Sequence, residues 1–201
     1  MQLKGKTALI TGATSGIGKA IKKILENEGV KCINASRSNG YDFTDVYDIE
    51  KAMKLTNVDI LINNVGGGGT WSSEYANDVL CKNLWSTIQL TTSYLKHKRK
   101  WGRVITISSI YGKERGPNEI FTAAKAGQIA FMKSLSGKYK GITFTSICPG
   151  HIEVGKTFPD KPKIIGSPSD IANVVSFLCS NKANHINGAS IIVDGGASHS
   201  F

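Results

Sequence analysis

Thr11-Gly12-Ala13-Thr14-Ser15-Gly16-Ile17-Gly18 is the stretch on which the reading of the chain turns. Before it, Lys6-Thr7-Ala8-Leu9-Ile10 is a short apolar run of strand character. After it, the segment to Asn27 places Ile17, Ala20, Ile21, Ile24 and Leu25 at helical spacing. A buried strand therefore ends in a Gly-rich turn, and the turn opens a helix. Glycine lets the backbone turn tightly and lets a ligand approach, because no Cβ intrudes. The helix N-terminus adds unpaired N–H groups and the positive end of a dipole, a seat for a pyrophosphate. A ligand-free βα turn has the same glycines. The strand before it and the helix after it favour dinucleotide binding.

Outward from this turn, strand and helix signals alternate. Lys31 to Ala35 reads as a strand, Val46 to Thr56 as a helix, and Val58 to Ile62 as a strand ending in Asn63-Asn64. Gly66 to Gly69 reads as a loop, Tyr75 to Lys98 as a long helix and Arg103 to Ser108 as a strand. Then come a helix at Asn118 to Leu135, a strand at Ile142 to Cys148, a helix at Ser169 to Ser180 and a last strand at Ser190 to Val193. Continuous apolar strands alternating with helices predict a single α/β domain over residues 1–201, a Rossmann-type doubly wound parallel sheet. Ligands in such sheets bind at the carboxyl ends of the strands, where small, polar and Gly residues collect here.

The 201 residues are 40% hydrophobic and 20% charged, with a formal net charge of +10. That charge favours anionic ligands, a phosphorylated cofactor among them. Part of it lies in Lys96-His97-Lys98-Arg99-Lys100, where cations complement a helix end. No aromatic residues interleave that run, so nucleic acid is not expected as a partner. No apolar run approaches membrane-spanning length and no signal peptide fits the N-terminus, so a cytoplasmic, membrane-free protein is expected. Cys32, Cys81, Cys148 and Cys179 are widely spaced and read as reduced packing residues, with no metal site.

With these residues in place, the chain resembles the short-chain dehydrogenase/reductase family over nearly its whole length. Thr11-Gly12-x-x-x-Gly16-x-Gly18 is similar to the family's cofactor loop. Asn63-Asn64-Val65-Gly66 is similar to its Asn-Asn-Ala-Gly element, and Asn83 stands where the family has an Asn in the long middle helix. Ile107-Ser108-Ser109, Pro149-Gly150-His151-Ile152, Pro168-x-Asp170-Ile171-Ala172 and Val193-Asp194-Gly195-Gly196 resemble further family elements. The resemblance implies hydride transfer between a nicotinamide and a carbonyl or alcohol. It assigns cofactor contacts to Gly12, Thr14, Ser15, Gly16, Ile17, Gly18, Ser36, Arg37, Asp42, Asn64, Val65, Gly66, Lys125, Pro149, Gly150 and Ile152. It assigns catalysis to Asn83, Ser109 and Lys125, and implies a reductase of carbonyl compounds, 3-oxoacyl type among them.

One departure dominates. The family expects Tyr-x-x-x-Lys, and this chain has Phe121-Thr122-Ala123-Ala124-Lys125. Phe has no ionisable proton, so the usual acid is missing. Either another group supplies the proton (Tyr111, a water ordered by Lys125, or Lys125 itself), or the protein binds the dinucleotide without turnover as a sensor, scaffold or partner subunit. An engineered block at Phe121 is the third reading. The second strand ends in Ala35-Ser36-Arg37-Ser38 without a carboxylate, which points to NADP(H) ahead of NAD(H). Only four residues separate Arg37 from Asp42, so a βα unit is pared to a loop. Val154 stands where the family has a Thr. Gly155 to Ser167 is too Pro- and Gly-rich for a long helical lid, which predicts an open pocket. The small-residue stripe Ala123, Ala126, Gly127 and Ala130 is similar to the family's subunit interfaces and implies a homo-oligomer, dimer or tetramer.

Overall fold

The computed structural model describes residues 3–43, 45, 48, 51–52, 54, 58–67, 73–97, 100–155 and 164–199. In chain order the elements are β1 (Thr7–Thr11), α1 (Gly16–Asn27), β2 (Lys31–Ala35), β3 (Ile60–Asn63), α2 (Ser73–Leu80), α3 (Ser86–Leu95), β4 (Gly102–Ile107), α4 (Glu119–Leu135), β5 (Ile142–Pro149), α5 (Pro168–Cys179) and β6 (Ser190–Val193). The strands form one sheet in the order β2-β1-β3-β4-β5-β6, and every pairing is parallel. This is the expected Rossmann-type α/β architecture.

Side-chain alternation along the strands divides the core into two layers. Ala8, Ile10, Ile60, Ile62, Ile105 and Ile147 join Ile21 and Leu25 of α1 and Val175 of α5. Leu9, Leu61, Val104 and Phe144 join Leu90 and Tyr94 of α3 and Met132 of α4. The in-register pairs Ala8↔Ile60, Leu9↔Leu61 and Ile10↔Ile62 keep the two sets apart. From β1 the chain runs out to β2 and then crosses back to β3 on the other side. The carboxyl ends of β1 and β3 are therefore where the winding reverses, the place where such sheets hold ligands.

The structure departs from the sequence reading in the middle helix. Instead of one α-helix there is a five-residue π segment, Cys81–Trp85, between α2 and α3. The Asn83 carbonyl accepts from Thr87 Oγ1 at 2.8 Å and from Gln128 Nε2 of α4 at 2.7 Å. Such single-turn widenings often mark functional positions. The third strand runs Ile60–Asn63, two residues beyond its expected start. After β2, the short connection forms a 3-10 turn, Arg37–Asn39, closed by Gly40 at φ +75°. The expected helix Val46 to Thr56 is described at only a few positions, Asp48, Lys51, Ala52 and Lys54, which are helical. Most of the expected open lid, residues 156–163, lies outside the described residues, as do Gly68, Gly69, Lys98 and Arg99. Within the small-residue stripe, Gly127 serves packing inside the chain: a Cβ there would sit 2.9 Å from Leu84 Cδ2. Ala123 and Ala130 are exposed.

Candidate active site

The glycine turn has the shape its sequence predicts. Gly12 and Gly16 adopt φ +68° and +51°, values that L side chains rarely take. Gly18 sits in the first turn of α1 against the end of β1, where a Cβ would lie 2.3 Å from the Gly12 carbonyl oxygen. Ser15 caps α1 in an extended conformation with no side-chain cap bond, and no acidic residue lies in the first turn. The N–H groups at this end are therefore neither capped by a side chain nor faced by a like-sited carboxylate. A cradle without Cβ atoms and an open helix N-terminus fit the diphosphate of a dinucleotide.

The loop after β3 is tied to this turn by side chains. Thr11 Oγ1 accepts from the Asn64 and Val65 N–H groups at 2.8 and 2.9 Å. Asn64 Nδ2 donates to the Thr11 carbonyl at 2.8 Å and to that of Gly12 at 3.3 Å. The two strand ends thus form one rigid floor. Above it lies a cleft of about 610 Å³, lined by all the glycine-loop residues named from sequence, by Ser36, Arg37 and Asp42, and by Asn64, Val65 and Gly66. At its far end, Ser36 is buried and its hydroxyl meets Ser38 Oγ and Asn39 Oδ1, both at 2.9 Å. Arg37 is exposed and pairs with Asp42, Nε to Oδ2, at 3.8 Å.

The cleft runs into a second chamber of about 280 Å³, and Ile17, Asn64, Gly66, Gly67 and Val154 line both. The chamber collects Ser109, Tyr111, Phe121, Lys125 and His151, with Pro149, Gly150 and Ile152 in its wall. Lys125 is 4% exposed and its Nζ donates to the Ile107 carbonyl at 3.0 Å. Burial lowers its ammonium to about 7, with Cys148 acting in the opposite direction. A Cβ on Gly66 would lie 2.4 Å from Asn83 Oδ1 and 3.1 Å from that Nζ, so a glycine lets the loop come near both side chains. The Phe121 ring centroid is 5.4 Å from Nζ, so an aromatic face stands over the ammonium at the position four before Lys125.

The remaining predicted residues divide by what they touch. Ser109 lines the chamber, and its Oγ accepts from the Tyr111 N–H at 3.2 Å, capping the 3-10 turn Ile110–Gly112. It therefore fixes Tyr111 as well as facing the cavity. Asn83 is fully buried and reaches the chamber only through the loop. Its Nδ2 donates to the carbonyls of Val79 and Gly67, and its Oδ1 accepts from the Gly67 N–H. Val154 packs on the glycine turn, its Cγ1 3.1 Å from where a Gly16 Cβ would be. The Gly150 N–H donates to the Val193 carbonyl at 3.0 Å, which joins the Pro149-Gly150 turn to β6.

Three residues that the sequence reading left without a role belong to this site. Thr11 is the hinge of the floor. Gln128 secures the π segment. His151 meets Tyr111, with Tyr111 Oη and His151 Nε2 3.3 Å apart and the rings edge to face. The signal for His151 was its place in the Pro149-Gly150-His151-Ile152 turn, and only the structure gives its direction.

A glycine cradle at a winding reversal, beside a buried lysine and a strand-end serine, defines a dinucleotide-binding oxidoreductase fold. The sequence matches the short chain dehydrogenase family over residues 6–162. It is 33% identical to the 3-oxoacyl-(acyl-carrier-protein) reductase FabG of Escherichia coli strain K12, an alignment of 240 positions covering 98% of each chain. Since this chain has 201 residues, that relative carries segments missing here. Among solved structures, a dehydrogenase/reductase from Sinorhizobium meliloti 1021 superposes with a TM-score of 0.89 at 26% identity, over 98% of this chain and 96% of the other. A 3-ketoacyl-(acyl-carrier-protein) reductase from Brucella melitensis complexed with NADH shares the fold, with a TM-score of 0.90 at 24% identity over 98% and 99%. The chain belongs to the short-chain dehydrogenase family, whose members are oxidoreductases using a nicotinamide cofactor. Among its described residues no helix is long and apolar enough to cross a membrane.

Proposed function

We propose that the protein reduces the keto group of a 3-oxoacyl thioester with NADPH. The observation that carries this reading is the continuity of the cleft with the chamber, past Gly66 and the Lys125 ammonium. The 33% identity to a 3-oxoacyl reductase supports the substrate class. Ser36 and Arg37, with no carboxylate ending β2, support NADP(H) over NAD(H). The exposed Ala123 and Ala130 and the half-exposed Trp85 support a homo-oligomer, dimer or tetramer. A cytoplasmic location belongs to the same reading, which includes neither nucleic-acid nor membrane partners.

The bound cofactor would supply a hydride to the substrate carbonyl. The α1 N-terminus and the glycine turn would hold its diphosphate, and Lys125 its ribose hydroxyls. Ser109 would orient the substrate oxygen, a preorganised donor where negative charge develops. Asn83 would keep Gly66 and Gly67 in place rather than touch substrate.

Nicotinamide absorbance tests the proposal directly. With acetoacetyl and longer 3-oxoacyl thioesters, NADPH is consumed, and faster than NADH. Tight calorimetric binding of NADPH with no oxidation across thioesters and simple ketones would overturn it. That outcome would establish the second reading, a nucleotide-binding homologue without turnover, which Phe121 favours.

A further inference from the structure

We propose that Tyr111 is the proton donor of this chamber and that His151 is its proton relay. The inference rests on the reductase reading and goes beyond it, since it assigns the acid role left vacant by Phe121. It follows from what faces the cavity. Among the described residues lining it, the hydroxyls belong to Ser108, Ser109 and Tyr111. The Ser108 hydroxyl donates to the Lys125 carbonyl at 2.9 Å. Ser109 carries an aliphatic hydroxyl, no stronger an acid than the product alcohol, so it gives no driving force for proton delivery. Among these described residues Tyr111 carries the only phenol, a stronger acid than an aliphatic alcohol and so the better donor to an alkoxide.

Its placement is built rather than incidental. The Ser109 side chain holds the Tyr111 backbone N–H, so the group that orients the carbonyl also sets the phenol two residues away. Gly112 and Gly116 press the turn onto α4. A Cβ on Gly112 would lie 2.8 Å from the Lys125 carbonyl carbon, and one on Gly116 would lie 2.9 Å from Tyr111 Cβ. Behind the phenol stands His151, Nε2 3.3 Å from Tyr111 Oη. The His151 backbone is fixed in turn, because its carbonyl accepts from the Gly166 N–H at 2.8 Å.

A bound reduced nicotinamide would supply a hydride to the carbonyl carbon and be oxidised in doing so, and the C=O π pair would move onto oxygen. That oxygen takes the proton from Tyr111 Oη, whose O–H bond breaks. His151, entering as the imidazolium, gives its Nε2 proton to the phenolate and is left as the neutral imidazole, and solvent returns that proton. The substrate is reduced by two electrons and gains two hydrogens in all.

Tyr111→Phe, His151→Gln and the double variant Tyr111→Phe/Phe121→Tyr test the assignment in the full-length protein with NADPH and acetoacetyl thioester. Tyr111→Phe is expected to lower kcat about a hundredfold or more with NADPH binding and thermal midpoint unchanged. His151→Gln is expected to lower kcat by less, with KM for both substrates unchanged. The double variant is expected to regain turnover through a phenol at 121. Apart from activity, carbon-13 NMR of tyrosine-labelled, nucleotide-free protein is expected to show the Tyr111 Cζ resonance move in His151→Gln. Unchanged kcat in Tyr111→Phe, against an active parent, would overturn the assignment and leave the reductase reading standing, with Lys125 or a water as donor. A parent without turnover that Phe121→Tyr activates would overturn both. An unmoved Cζ resonance would overturn the relay.

Discussion

The cleft and the chamber lie side by side in one molecule but are made of different material. The cleft floor is backbone: positive-φ glycines, an uncapped helix end and two strand ends laced through Thr11 and Asn64. The chamber is side chains: the buried Lys125 amine, two serine hydroxyls, a phenol, a phenyl ring and an imidazole. Backbone geometry tolerates almost no substitution where a Cβ would collide, so the cleft keeps its pattern. Side-chain chemistry can be supplied from more than one wall, and here the chamber has a phenyl ring at 121 and a phenol at 111. The difference locates where this chain can diverge from its relatives without losing its fold.

The contrast breaks first at Gly18. An added Cβ would meet backbone, the Gly12 carbonyl oxygen, which has no rotamer to yield. Gly18→Ala is expected to cost about 3 kcal/mol of stability, the upper range for overpacking, and to abolish measurable nucleotide binding. Gly67→Ala is the matched control, since nothing lies within 4 Å of its Cβ position. It should leave the urea midpoint where it is. Equal losses in the two variants would mean that the cradle is not what the glycines are for.

The next effect concerns the buried charge of Lys125. Below pH 7 both folded and unfolded chains carry this proton, and the folded chain bears the desolvation. Between about 7 and 10.5 only the unfolded chain holds it, so folding stability rises with pH, by at most about 1.4 kcal/mol per unit. Cys32, Cys148 and Cys179 work the other way. Burial raises all three thiols above 9.0, Cys148 to about 11 and Cys32 to about 12, so they stay protonated when folded while the unfolded thiols ionise, and together they outweigh Lys125 above about pH 9. Urea denaturation of the nucleotide-free protein is therefore expected to show stability rising from pH 7 to about 8.5 and then turning over. Lys125→Met should flatten the rise and raise stability at pH 7. A rising limb that persists in the variant would assign it to other groups.

These two tests also mark what the sequence could show. Gly12, Gly16 and Gly18 were legible because each answers to a local demand, a turn or a close approach, that spacing alone reveals. The parallel sheet was legible because each strand is apolar on both faces and each helix has one apolar stripe. The π segment was not, because it depends on Gln128 reaching the Asn83 carbonyl from a helix forty-five positions away. Asn83 was legible as the Asn of the middle helix, but the bracing of Gly67 by its side chain was not. Tyr111 was legible as a phenol near Ser109, but His151 was not legible as its neighbour. That contact spans forty residues and requires β4 and β5 to lie side by side in register.

The smallest expected effect lies at the rim of the cleft, where backbone gives way to exposed side chains. Arg37 and Asp42 are a solvent-exposed pair 3.8 Å apart, and pairs of this kind contribute at most about 1 kcal/mol to stability. Folding is therefore indifferent to both, and any selective effect of replacing them reports on the ligand. A 2′-phosphate would draw the guanidinium from Asp42 while meeting the repulsion of that carboxylate. Arg37→Ser is expected to weaken NADPH about tenfold, or ~1.4 kcal/mol, and to leave NADH nearly unchanged. Asp42→Asn is expected to tighten NADPH several-fold. Raising salt should compress both differences, because the groups are screened within about 10 Å at 0.1 M. Titration of the four combinations by nucleotide fluorescence checks this. Equal losses for both coenzymes in Arg37→Ser would mean that the guanidinium stacks on the adenine, and the preference for the phosphorylated coenzyme would have to come from the buried Ser36 hydroxyl instead.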